Sequence, residues 1–157
     1  MSFPESSADI VIPLADEGKV VDLAKTLCPL LFSPLVIYLQ GDLGAGKTTF
    51  ARALIQSLGH KGRVKSPTYG LLESYQAGGF NVLHLDLYRI EAPGELDFLG
   101  LRDLFDNKSI LLVEWPDRGG EFIPRADVIM QFGEDNEQRF VSLRTFSPAG
   151  HRVVARL

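Results

Sequence analysis

The run Gly41-Asp42-Leu43-Gly44-Ala45-Gly46-Lys47-Thr48 has the residue types and spacing of a phosphate cradle, G-x-x-x-x-G-K-[ST]. Glycines let the backbone turn tightly, so several N–H groups point inward at one anion. A helix beginning at Lys47 adds its positive N-terminal end. Lys47 offers a point charge to the β- and γ-phosphates, and the Thr48 hydroxyl offers a ligand to Mg²⁺. Thr49 belongs to the cradle as a first-turn helix residue, not as a second metal ligand. The chemistry implied is binding of a nucleoside triphosphate with Mg²⁺, with ATP as the nucleotide. In Asn107-Lys108-Ser109-Ile110, Ile110 stands where a guanine-reading box needs Asp, which disfavours GTP.

Phosphoryl transfer also needs carboxylates that hold hydrated Mg²⁺ and position the attacking oxygen. Two acids lie at the tips of apolar runs. Glu114 ends Ile110-Leu111-Leu112-Val113, and Asp86 follows Val82-Leu83-His84-Leu85. Alternation in the second run puts His84 and Asp86 on one face and Leu83, Leu85 and Leu87 on the other. Asp86 has an ion pair with Arg89 as its plainer reading, and His84 reads as a structural histidine rather than a base. Ser66-Pro67-Thr68-Tyr69 lies where a switch loop would. There Thr68 is a candidate contact to the γ-phosphate or its Mg²⁺, against the alternative of an ordinary turn at a strand start. No His/Cys group has zinc spacing, and no nucleophile–base pair stands out.

These groups need elements to carry them. Apolar patterning predicts strands over residues 10–14, 36–39, 69–76, 80–88, 110–113, 128–132, 139–146 and 152–157. Helices are expected over 17–28, capped by Asp16, and over 47–58, with shorter helical turns over 93–99 and 101–105. Ala77-Gly78-Gly79 marks a hairpin, so the sheet is mixed parallel and antiparallel. Further turns are placed at residues 134–136 and 148–150. The fold class is α/β, a P-loop NTPase fold in a single three-layer domain spanning 1–157.

The chain has 157 residues, 16 Lys and Arg against 20 Asp and Glu, and a net charge of −4. A protein of that charge is not drawn as a whole to nucleic acid or anionic lipid, and no DNA partner is expected. His60, Lys61, Arg63 and Lys65 form a local basic run, read as a solvated loop with a partner- or tRNA-facing patch as the sharper alternative. The single Cys28 sits among leucines and reads as a structural thiol. No apolar run reaches the roughly 20 residues of a membrane span, and residues 1–9 lack the pattern of a signal peptide. A cytoplasmic location and no membrane partner are expected.

Taken together, the motifs resemble the TsaE (YjeE) family of small P-loop ATPases. The resemblance rests on Gly41-Asp-Leu-Gly-Ala-Gly-Lys-Thr-Thr-Phe50, Ser66-Pro-Thr-Tyr69, His84-Leu-Asp-Leu-Tyr-Arg89 and Val113-Glu-Trp-Pro116, in the family's order, and covers residues 10–128. It implies a role in forming threonylcarbamoyladenosine (t6A) in tRNAs that read codons beginning with A. Proteins of this kind do not transfer the threonylcarbamoyl group; they act as an ATPase on a complex of TsaD and TsaB, and tRNA is met indirectly or through that complex. The resemblance also implies Thr48 and Glu114 as Mg²⁺ partners, with Asp86 important for hydrolysis and Thr68 in the switch-like loop. Glu17 is implied near the adenine, and Trp115 as a structural or nucleotide-responsive neighbour of Glu114. Arg89 and Arg118 are both available as an arginine finger, or as structural ion-pair partners. The alternatives are a small-molecule kinase, whose lid would have to be the loop at Gly119-Gly120, and a nucleotide-gated binding module.

Overall fold

The computed structural model describes residues 10–67 and 71–157. Strands β1 (Ile10–Pro13), β2 (Leu35–Gln40), β3 (Leu72–Ala77), β4 (Phe80–Asp86), β5 (Ser109–Glu114), β6 (Val128–Asp135) and β7 (Gln138–Thr145) form one seven-stranded sheet. Their order is β1-β7-β6-β2-β5-β4-β3. The four inner strands β6, β2, β5 and β4 run parallel, and the pairs β1–β7, β7–β6 and β3–β4 are antiparallel. The mixed sheet expected from the hairpin signal is present, with Gly78 (φ 62°) and Gly79 (φ 83°) at its turn.

The most apolar strands lie at the centre because both of their faces are covered. One face carries Leu35, Ile37 and Leu39 of β2 with Ile110 and Leu112 of β5. It packs under helices α1 (Glu17–Leu27) and α2 (Lys47–Ser57), through Val20, Leu23, Ala24 and Leu27 on the first and Phe50, Ala51 and Leu54 on the second. Asp16 caps α1 as expected, accepting from Lys19 N at 3.0 Å. The opposite face, with Val36, Leu83, Leu85, Leu111 and Val113, packs under Leu96 of the 3₁₀ segment Pro93–Leu99 and Leu101 of α3 (Leu101–Leu104). The result is the three-layer α/β architecture read from the sequence.

Residues 148–150 are not a free turn and 152–157 are not a strand: 148–154 form a helix, α4 (Pro148–Val154), and a turn follows it at 155–156. The adjacent Val153 and Val154 suggested β-structure, but the preceding residues decide otherwise. The Ser147 hydroxyl caps the helix by accepting from Gly150 N at 3.0 Å, and Pro148 occupies the first turn, where a missing N–H costs nothing. Packing on the sheet then buries both valines. The strand expected over 80–88 stops at Asp86, because Asp86 Oδ1 accepts from Tyr88 N at 3.0 Å and turns the chain. Of the strand expected over 69–76, Tyr69 and Gly70 lie outside the described residues and the remainder begins at Leu72. Lys61, Arg63 and Lys65 of the basic run are exposed, while His60 packs edge-on against Tyr75 with ring centres 4.8 Å apart. Cys28 is half-buried, its Sγ donating to Leu54 O at 3.7 Å, and desolvation raises its pKa.

Candidate functional site

The carboxyl ends of the parallel strands meet the start of α2, which is where open α/β sheets form their ligand crevices. The loop from Gly41 reaches α2 through left-handed glycines, Gly41 (φ 142°), Gly44 (φ 79°) and Gly46 (φ 110°). A side chain at Gly41 would also put its Cβ 2.6 Å from Phe132 O, so the loop's first residue has to be glycine on two counts. Beside the loop, register aligns Leu39 of β2 with Glu114 of β5, and Glu114 with Asp86 of β4. Both acids therefore stand at strand tips next to the loop, on the same face as α2.

Glu114 is 2 % exposed and its two oxygens have different partners. Oε1 accepts from the Thr48 hydroxyl at 2.8 Å, and Oε2 lies 2.6 Å from His84 Nε2. When Thr48 donates to Glu114, a lone pair of its hydroxyl oxygen remains free for a cation. Lys47 is buried, its ammonium donating to Gly41 O at 2.5 Å and lying 3.7 Å from the centre of the Trp115 ring. Trp115 is held in the left-handed region at φ 57°, an uncommon conformation for a bulky residue and one that clusters at functional sites. Its ring also packs on Tyr88 at 5.0 Å.

Burial and the fields of the neighbouring charges oppose one another at the site. Desolvation lowers the Lys47 pKa, opposed by the negative fields of Glu114, Asp86, Asp42 and Asp117. Asp86 moves the other way. Burial raises its pKa and the Glu114 charge adds to this, while the Tyr88 N–H bond, His84 and Lys47 pull it down. Oxygen donors from Thr48, Glu114 and Asp86 suit a hard cation that keeps most of its shell from phosphate and water. Among the described residues, no group of three or more His, Cys, Asp or Glu forms a cage that would hold a metal by protein ligands alone.

Most of the residues read from the sequence converge. A cavity of about 480 Å³ is lined by Leu43, Gly44, Gly46, Lys47, Thr48 and Thr49 of the loop, by Asp86 and Glu114, and by Glu17 from the first turn of α1. Asp42 and Ala45 instead line a smaller recess of about 130 Å³ on the Phe132 side of the loop, and Gly41 lies beneath, bound to Lys47. Thr68 lies outside the described residues. The segment 107–109 lies at the opposite end of β5 from Glu114, so it is remote from the cavity. Arg89 lines the cavity, whereas Arg118 donates to Tyr88 O at 2.6 Å and sits over the Tyr88 ring, bracing the turn after β4.

Three lining residues had no assigned role at the cavity in the sequence reading. Val20 fell only within the helix over 17–28, Tyr88 only within a strand and a motif, and Arg139 only at the start of a strand. Arg139 reaches the cavity because β7 pairs with β1 and its carbonyl accepts from Leu14 N at 2.8 Å, just before α1. No local signal in the sequence could have found it. The partner of His84 was likewise hidden, because it lies one strand away.

Comparison with known proteins agrees with this geometry. The family model described as "Threonylcarbamoyl adenosine biosynthesis protein TsaE" matches residues 14–141. The chain is 37 % identical over 147 residues to the tRNA threonylcarbamoyladenosine biosynthesis protein TsaE of Haemophilus influenzae, covering 90 % of this chain and 93 % of that one. It is 36 % identical over 119 residues to the protein of the same name from Bacillus subtilis, covering 74 % and 72 %. Among solved structures, Bacillus YdiB superposes with a TM-score of 0.76 at 22 % identity, covering 96 % of this chain and 95 % of that one, which supports the P-loop NTPase fold. With the phosphate loop, the paired strand-tip acids and a family match across most of its length, the chain belongs to the TsaE family.

Proposed function

We propose that this chain is a Mg²⁺-dependent ATPase that supports t6A formation in tRNAs reading codons beginning with A, working in the cytoplasm on a complex of TsaD and TsaB. The family's part in threonylcarbamoyladenosine biosynthesis supplies the pathway. The observation that carries the ATPase reading is the Thr48–Glu114 hydrogen bond at 2.8 Å, which joins the phosphate loop to a strand-tip carboxylate. In this reading the loop N–H groups and Lys47 bind the phosphates, leaving Trp115 and Gly41 O. Thr48 and Glu114 would hold Mg²⁺, which when bound would shield the charge developing on the phosphates. Asp86 would polarise the attacking water. Glu17 and Arg139 line the cavity and would face the base, and Thr68 is the candidate for the γ-phosphate.

A free-standing kinase is less well supported. Its lid would have to be the loop at Gly119-Gly120, but that segment is two short 3₁₀ turns (Pro116–Arg118 and Gly120–Phe122) with Gly119 buried. A Cβ at Gly119 would meet Leu87 Cδ1 at 2.9 Å, which marks a packed corner rather than a hinge. The test is ATP turnover of the purified chain alone and with TsaB and TsaD, with Lys47→Ala as control. Slow turnover alone, raised by the partners and abolished in the variant, is the expected result. No partner binding and unchanged turnover would overturn the reading.

A further inference from the structure

The proposed chemistry gives no part to His84, yet this ring is bound directly to Glu114. It lies on β4, fully buried, beside Leu112 of β5 and Glu73 of β3. Its Nε2 is 2.6 Å from Glu114 Oε2, while Nδ1, also buried, has no hydrogen-bond partner. An imidazole with one orphaned nitrogen is a costly filler for a core position, since Leu or Phe would occupy the space without that desolvation. What an apolar side chain cannot do is donate to the carboxylate.

We propose that His84 is a positioning residue that donates Nε2–H to Glu114 Oε2 and so locks the carboxylate with Oε1 alone turned to Thr48 and the cation. The inference rests on the reading of Thr48 and Glu114 as Mg²⁺ partners. With the lock, each carboxylate oxygen has a fixed task. Without it, the carboxylate is held by Thr48 alone and can turn toward the Lys47 ammonium, which lines the same cavity. Pairing those two would withdraw both from the phosphates. Partners that orient a metal ligand are typically worth about 10–100-fold in metal affinity or activity.

Two variants separate the donor from the volume. His84→Leu fills the space with no donor, and His84→Gln keeps an N–H at nearly the reach of Nε2. Calorimetric titration with a non-hydrolysable ATP analogue, in Mg²⁺ and in EDTA, reads the effect without turnover. For His84→Leu the metal-free affinity should stay within about 2-fold, while the gain from Mg²⁺ falls about 10-fold or more, KM in Mg²⁺ rises to match, and kcat falls as well. His84→Gln should recover most of the loss. Equal losses with and without Mg²⁺, or no loss, would overturn the proposal. If His84→Leu does not fold, His84→Asn replaces it: its shorter amide falls short of Glu114, and behaviour equal to His84→Gln sinks the idea. Nitrogen-15 histidine NMR of the ligand-free chain adds a readout independent of nucleotide. A slowly exchanging, downfield Nε2–H is expected, and it should disappear in Glu114→Ala. Its absence overturns the role of His84 even where Mg²⁺ strengthens nucleotide binding, whereas a wild-type chain that gains nothing from Mg²⁺ overturns the ATPase reading beneath it.

Discussion

Glu114 is bound by side chains 30 and 66 positions away, so its carboxylate is placed by the fold and not by its own strand. Lys47 and Glu114 should fail differently when removed. Lys47→Ala loses a charge aimed at phosphate and should weaken ATP binding about 100-fold with or without Mg²⁺, as read by calorimetry. Glu114→Ala should leave metal-free binding nearly intact and lower hydrolysis about 100-fold or more in a turnover assay. Asp86 gives a prediction in pH. Its folded pKa is raised, chiefly by burial and then by Glu114, above the ordinary 3.8. A raised carboxylate stabilises the fold fully below its unfolded value and loses that contribution as pH rises through the folded one. Asp86→Asn, which can keep the bond to Tyr88 N, should therefore melt a few degrees higher than wild type at neutral pH without ligand. The gap should close as pH falls toward the ordinary Asp value, and hydrolysis should be lost throughout. A melting curve at each pH checks the sign.

At the scale of elements, the packing of α4 shows where local reading ends. Asp127 joins three segments: its Oδ2 accepts from Val36 N at 2.8 Å, its Oδ1 from the Ser147 hydroxyl at 2.6 Å, and its carbonyl from Phe146 N at 2.9 Å. α4 sits so close to this corner that a Cβ on Gly150 would fall 1.9 Å from Asp127 O. Gly150→Ala should thus destabilise by about 2–4 kcal/mol in equilibrium denaturation, against the usual gain of Ala over Gly in a helix. Local patterning reads residues 148–150 as a turn and 152–157 as a strand, because nothing local says which surface Val153 and Val154 meet. The phosphate loop, β2, β5 and α2 were legible for the opposite reason. Each is a contiguous pattern, glycine spacing or apolar run, whose physics is complete within about a dozen residues. The His84–Glu114 contact and the arrival of Arg139 depend on strand register, which alternation alone does not reveal.

The whole molecule brings its chemistry to one end of the sheet and leaves the antiparallel flanks to shape and support. Nucleotide should consequently act on global stability as well as on the site. At 100 times its Kd, Mg²⁺·ATP should add about 2.7 kcal/mol, or roughly 8 °C in Tm for a chain this size, against only about 0.4 kcal/mol, or about 1 °C, for Lys47→Ala at the same concentration. Scanning calorimetry at fixed protein concentration reads that difference. The fold class and both acidic tips were visible in the sequence because a buried parallel sheet leaves runs such as Ile110 to Val113 that few other architectures produce. What could not be seen was how the molecule closes over the loop, since Tyr88, Trp115 and Arg118 meet only after β4 and β5 pair. That meeting has an optical consequence. The chain holds one tryptophan, and its indole lies 3.7 Å from the Lys47 ammonium. Its ultraviolet emission therefore reports one place in the molecule, and drawing the ammonium toward phosphate changes the field on that single fluorophore. The protein is built with its own unlabelled gauge of occupancy.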